Sequence, residues 1–389
     1  MVRKLSLALS LFFAGTAGAA PPLAHLQPGQ RPAPGTTEAE LWYGMDQAEK
    51  QIRQSPYVVR DASLQAYVED VVCKVAGPHC KEMRVYIVDV PVFNASMAPN
   101  GATLLFTGAL LRMRDESELA VVLGHEFAHY KARHSLEGWN SAKRTSAFLN
   151  TFGLVTLTFG VPIAGELAAL GGIGTLFKQS RDNEREADAL GFATAVAQGY
   201  DPQAGVRVWE RLRREEQADR THRNRVVFAS HPQSEERIAD IRAAAAAIPA
   251  SGTAITHLAE YRAAMAPFQE KWMAGELSRR TYDMTVQVFT ELEADAAPEY
   301  KGLYTYYLGE AHRRRNHKDD AARAATLFAR ATTQPGAPPA AWREHGMQLR
   351  EKGQTAAAVV SLRRYLTLAP QADDAAVVQH YVTRMESPR

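Results

Sequence analysis

Apolar residues recur at helical spacing over Glu38–Arg53 and again over Ala62–Val75. The period then changes. Met83-Arg84-Val85-Tyr86-Ile87-Val88-Asp89-Val90 alternates and is β-branched, which predicts a strand. Ala102–Thr107 predicts a second strand, with a Pro99-Asn100-Gly101 turn before it. The largely apolar run Leu119-Ala120-Val121-Val122-Leu123 predicts a buried helix that continues through Gly124-His125-Glu126-Phe127-Ala128-His129. Thr145–Gly165 carries no charge, and Glu166 and Gly171-Gly172-x-Gly174 break the run after it. Residues 145–176 are read as a helical hairpin, with membrane-surface contact or a membrane span as alternatives. Beyond the alanines 243–247, closed by Ile248-Pro249, the pattern is helical and weakly repetitive to the end.

The chemistry sits on the predicted buried helix. His125 and His129 are four apart and therefore share a helix face, about one turn apart. Two imidazoles so placed can hold one Zn²⁺, and Glu126 between them can serve a metal-held water as general base. The competing reading is two ordinary histidines on a core helix. A catalytic zinc needs a third protein ligand and an open position. Ser180-Arg181-Asp182-Asn183-Glu184-Arg185-Glu186-Ala187-Asp188 offers one. Glu184 and Asp188 share a face, so Glu184 can ligate while Asp188 accepts a hydrogen bond from the outer nitrogen of a ligand histidine. Glu186, two residues on from Glu184, turns to the far side. The bland alternative is a charged, solvated helix with Arg–Glu pairs at helical spacing.

These motifs resemble a known family. His125-Glu126-x-x-His129 followed by Ser180-Arg181-x-x-Glu184-x-x-Ala187-Asp188 is similar to the zinc metallopeptidases of the HtpX and CAAX prenyl protease type, family 48 of the metallopeptidases, which are gluzincins. Asn94-Ala95-x-x-x-Pro99-Asn100-Gly101, Thr107-Gly108-Ala109-Leu110-Leu111, Arg133-His134, Gly199-Tyr200-Asp201-Pro202, Ser230-His231-Pro232 and Arg237-Ile238 match further landmarks, so the resemblance spans roughly residues 40 to 245. It implies a peptide-bond hydrolase with one Zn²⁺ per chain. It also places His231 near the cleft, as a donor to the oxyanion or as a blocker of the open zinc position; the bland reading is a surface-loop histidine. His134 is expected to pack or cap behind the zinc helix. A strand edge at Asn94, Pro99, Asn100 and Gly101 is the expected approach for an extended substrate peptide.

Other features set the surroundings. Arg3 and Lys4, the apolar run Leu5–Gly15 and Ala17-Gly18-Ala19 read as a signal peptide over residues 1–19, against the alternative of a buried N-terminal helix. Export makes a disulfide between the two cysteines, Cys73 and Cys80, an expectation beside the alternative of two free thiols. The formal net charge of +2 over 389 residues gives no pull toward nucleic acid. Near the C-terminus, Trp342, Gly346, Leu349, Ala358, Leu362, Tyr365 and Pro370 stand at tetratricopeptide spacing. Leu308, Gly309, Ala324, Phe328 and Ala331 form a degenerate earlier unit, and 258–272 with 282–292 can form another helix pair. An ordinary helical bundle is the alternative.

The sequence therefore predicts an α+β chain: a signal peptide over 1–19, a mostly helical peptidase domain with a small sheet over 20–248, and an all-α tetratricopeptide-like domain over 249–389. The resemblance points to the exported, BepA-like members of the family. It implies periplasmic quality control of misfolded envelope proteins, with the outer-membrane assembly machinery as a partner on the repeats. A chaperone or binding module with latent proteolysis is the competing function.

Overall fold

The computed structural model describes residues 23–142, 180–219, 235–249 and 254–387. The signal-peptide residues, the hairpin expected at 145–176 and His231 lie outside the described residues.

Two helices open the described chain, α1 (Thr37–Gln54) and α2 (Ala62–Ala76). Each begins on a capping side chain: Thr36 accepts from the Ala39 N–H and Asp61 from the Leu64 N–H, satisfying N-terminal amides that have no partner inside the helix. A tight 3₁₀ turn, Gly77–Glu82, follows α2, and Cys73 and Cys80 are joined across it as a disulfide.

The sheet has three strands, β1 (Arg84–Val88), β2 (Ala95–Met97) and β3 (Ala102–Phe106), in the order β1-β3-β2. β1 runs parallel to β3, and β2 antiparallel to it. The two strands read from the pattern are present, each slightly shorter than predicted. Thr107, read as the end of a strand, instead begins α3 (Thr107–Arg112).

The central element is α4 (Glu116–Lys131), capped by Asp115 and buried along all but its last residue. It lies between α2, β2 and α6, which makes it apolar on most sides rather than amphipathic. Arg133, at φ +61°, stops α4 and turns the chain into α5 (His134–Ala142). After the undescribed stretch come α6 (Arg181–Ala197), α7 (Ala204–Ala218) and α8 (Glu235–Ala247).

The C-terminal region is made of paired helices: α9 (Leu258–Met265), α10 (Gln269–Ser278), α11 (Tyr282–Ala294), α12 (Lys301–Arg315), α13 (Asp320–Ala331), α14 (Pro339–Glu351), α15 (Thr355–Leu368) and α16 (Ala375–Glu386). The helix read as continuous over 258–272 is broken by a 3₁₀ turn holding Pro267. Two pairs use the same device. A Cβ on Gly309 of α12 would collide with Phe328 of α13, and one on Gly346 of α14 with Leu362 of α15. Each glycine thus receives a large side chain from its partner helix. A single apolar core runs from Leu64 to Ala341, so α9–α13 pack into the same interior as α2 and α4. Among the described residues, no helix is long and apolar enough to cross a membrane.

Candidate metal centre

His125 and His129 lie on α4 and Glu184 on α6, and all three are buried. One ligand atom from each falls within 4.8 Å of the others. The two histidine Nε2 atoms are 3.1 Å apart. Glu184 Oε2 stands 3.7 Å from His125 Nε2, and Oε1 3.5 Å from His129 Nε2. Tetrahedral zinc with bonds of about 2.0–2.2 Å holds its ligands roughly 3.3–3.5 Å from one another, so this donor triangle has the size of a zinc site. The donor chemistry, two imidazoles and a carboxylate, fits a catalytic zinc. Glu126, beside the ligands on α4, is buried as well.

The approach of α6 to α4 rests on glycines. A Cβ on Gly191 would sit 2.6 Å from the His125 amide nitrogen and 2.8 Å from the Gly124 carbonyl carbon. Without side chains at the crossing, the two backbones come close enough for Glu184 and Asp188 to reach the histidines.

Behind the ligands, Asp188 Oδ1 lies 3.0 Å from His125 Nδ1. Sequence reasoning gave Arg237 no role. It comes from α8, and its Nε and NH2 bond the two oxygens of Asp188 at 2.6 and 2.8 Å. Its NH1 stands 2.6 Å from Glu184 Oε2. The guanidinium also lies over Trp209, whose ring packs edge-on against His125. Burial raises the Asp188 carboxyl, but Arg237 and His125 outweigh it and hold the group below its ordinary value. The only signal for Arg237 in the sequence was its place in the family landmark, which carries no geometry.

The expected substrate edge needs a correction. Asn94 is half-buried at the start of β2, but Pro99, Asn100 and Gly101 are buried in the turn that follows. The Asn100 amide donates to Asp46 at 2.7 Å and to Glu49 at 3.0 Å. Gly101, at φ +86°, has the Glu82 carbonyl oxygen 2.3 Å from where a Cβ would stand. These residues tie the turn to α1 and the 3₁₀ segment. The strand edge is confined to β2, Ala95–Met97, beside α4.

Two histidines four apart on a buried helix, with a glutamate delivered from a second helix, define a metallopeptidase of the His-Glu-x-x-His class. Residues 59–245 match the model of Peptidase family M48. The chain is 28% identical over 204 residues to the beta-barrel assembly-enhancing protease of Escherichia coli (strain K12), which covers 50% of this chain and 41% of that protein. It is 30% identical over 224 residues to a putative beta-barrel assembly-enhancing protease of Vibrio cholerae, covering 55% and 46%. It is 32% identical over 169 residues to the mitochondrial metalloendopeptidase OMA1 of Schizosaccharomyces pombe, covering 43% and 48%. The matches span less than half the length of these relatives. Residues 59–245 are those of a metallopeptidase of Peptidase family M48.

Proposed function

We propose that the chain is an exported zinc endopeptidase that hydrolyses peptide bonds of misfolded or stalled envelope proteins in the periplasm. The observation that carries the activity is the buried His125–His129–Glu184 triangle with Glu126 next to it. These three residues would hold Zn²⁺, which when bound lowers the pKa of a water molecule and polarises a carbonyl. Glu126 takes the proton of the attacking water on its carboxylate and returns it to the leaving amine nitrogen. Asp188 accepts the His125 Nδ1–H, which leaves the Nε2 lone pair facing the ligand triangle. His231 is proposed either to stabilise the oxyanion or to gate the site. An extended substrate would pair along β2, with Asn94 at its start.

The setting rests on other support. Two relatives are named for enhancing β-barrel assembly, which favours outer-membrane protein quality control. The Cys73–Cys80 disulfide suits an oxidising compartment reached by way of a signal peptide over 1–19. We divide the chain at 248/249 into a peptidase part and a tetratricopeptide-like part, the latter docking the outer-membrane assembly machinery.

The second reading is a chaperone or binding module with proteolysis latent. A groove of about 740 Å³ between α13, α14 and α16, lined by Ala324, Met347 and Val378 together with the charged Arg343, Glu344 and Asp374, favours it. Wild type and Glu126→Gln distinguish the two on an unfolded β-barrel protein. Cleavage by wild type alone supports the peptidase. Equal cleavage by both sinks the role of Glu126. Rescue of a deletion phenotype by both variants favours the chaperone.

A further inference from the structure

The two ligand histidines are oriented by different means. Nδ1 of His125 lies 3.0 Å from the Asp188 carboxylate. The outer nitrogen of His129 meets another histidine instead: its Nδ1 lies 2.9 Å from Nδ1 of His134. On the opposite side of the His134 ring, Nε2 lies 3.3 Å from Glu186 Oε2. His134 is 1% exposed, whereas the Glu186 side chain is 43% exposed and also meets His25 Nε2 at 3.0 Å. The left-handed turn at Arg133 brings His134 back beneath α4, and the Arg133 guanidinium is fixed by Glu38.

We propose that His134 and Glu186 are positioning residues that fix the tautomer and ring orientation of His129, so that Nε2 of His129 faces the metal position. This inference rests on the zinc-peptidase reading of the site. A carboxylate only accepts, so His134 Nε2–H donates to Glu186. That leaves His134 Nδ1 as an acceptor, and the facing atom, His129 Nδ1, must carry the proton. His129 Nε2 is then a lone pair. The reverse arrangement, with a proton on His134 Nδ1, would put the His129 proton on Nε2 and close the ligand position. One helix, α6, thereby serves the whole centre. Glu184 supplies a ligand, Asp188 orients His125, and Glu186 orients His129 through His134.

Zinc affinity, measured on the full chain by competition with a chromophoric chelator, tests this. His134→Phe keeps a ring in the buried space and removes the acceptor. Its zinc dissociation constant is expected to rise about 10- to 100-fold, the usual consequence of losing a partner behind a ligand. Glu186→Leu, at a half-exposed position where folding is not at stake, is expected to weaken zinc binding as well. The double variant is expected to be no weaker than His134→Phe alone, because Glu186 acts through His134. His134→Asn, whose side-chain oxygen can accept from His129, is expected to bind zinc more tightly than His134→Phe. Wild-type affinity in Glu186→Leu, additive losses in the double variant, or equal affinities for the Asn and Phe variants would each overturn the relay. A wild type that binds no zinc, or a His129→Ala variant that keeps it, would overturn the parent reading instead.

Discussion

Arg237 holds Asp188 through two parallel hydrogen bonds of 2.6 and 2.8 Å, and its third nitrogen reaches Glu184. The cation thus balances two buried carboxylates at the His125–His129–Glu184 cluster. Truncating one member of a buried, hydrogen-bonded pair typically costs about 3–5 kcal/mol, because the remaining charge is left uncompensated. Arg237→Met is therefore expected to destabilise the metal-free protein by roughly that amount. The loss should shrink when zinc is present, since the ion replaces part of the missing charge. Thermal unfolding with and without zinc measures both, and an equal loss in the two states would contradict this.

Gly191 decides how closely α6 can lie on α4. With His125 N only 2.6 Å from the site of a Cβ, and both contacts backbone, Gly191→Ala must push the helices apart. Glu184 and Asp188 ride on α6 and move with it. The expected outcome is loss of bound zinc by elemental analysis with the helical content of the circular dichroism spectrum retained. Full zinc occupancy in Gly191→Ala would show that the crossing tolerates a side chain.

Arg112 ties three elements together. It donates to Glu215 of α7 at 2.7 Å and to Glu276 of α10 at 2.9 Å, and all three side chains are buried. Burial pushes Glu215 up, whereas Glu276, also against burial, is held below its usual range by Arg112 and Arg279. Arg112→Met should cost about 3–5 kcal/mol. Because the triad sits within the core shared by α2, α4 and α9–α13, wild-type calorimetry is expected to show these parts melting in one transition. Two resolved transitions, one of them insensitive to Arg112→Met, would count against a shared core.

Glu49 supplies a pH dependence. Burial raises its carboxyl, but hydrogen bonds from Arg84, Tyr86 and Arg53 pull it down to about 2 from 4.5. A carboxyl depressed on folding stabilises the protein above its unfolded value, and that contribution fades as pH falls from about 5 toward 2. At neutral pH it amounts to about 3 kcal/mol. Glu49→Gln should therefore be clearly less stable than wild type at pH 7, with the gap cut to about half near pH 3. Urea midpoints at the two pH values check it. A gap that is constant with pH would mean that Glu49 acts by shape alone.

Much of the site was legible because it obeys helical spacing. His125 and His129 share a face by being four apart, and so do Glu184 and Asp188. The alternation over 83–90 marked a strand by its own period of two. Glu186 was not legible, since a two-residue offset puts it away from Glu184. Only the path of α5 brings a partner, His134, to that side. Pro99, Asn100 and Gly101 misled for a related reason. A Pro-Asn-Gly run reads as an exposed turn, but burial depends on what packs over it, here Asp46 and Glu49 of α1.

The sequence by itself determined the ligand types, the helices that carry them and the helical character of the C-terminal third. All of these are short-range properties, set by spacing within one element. The tertiary structure alone decided that α6 meets α4 at Gly124 and Gly191. It decided as well that Arg237 arrives from α8 to balance Glu184 and Asp188, and that His134 turns back beneath His129. Contacts between elements far apart in the chain depend on packing and backbone approach, and no local pattern of residues encodes these.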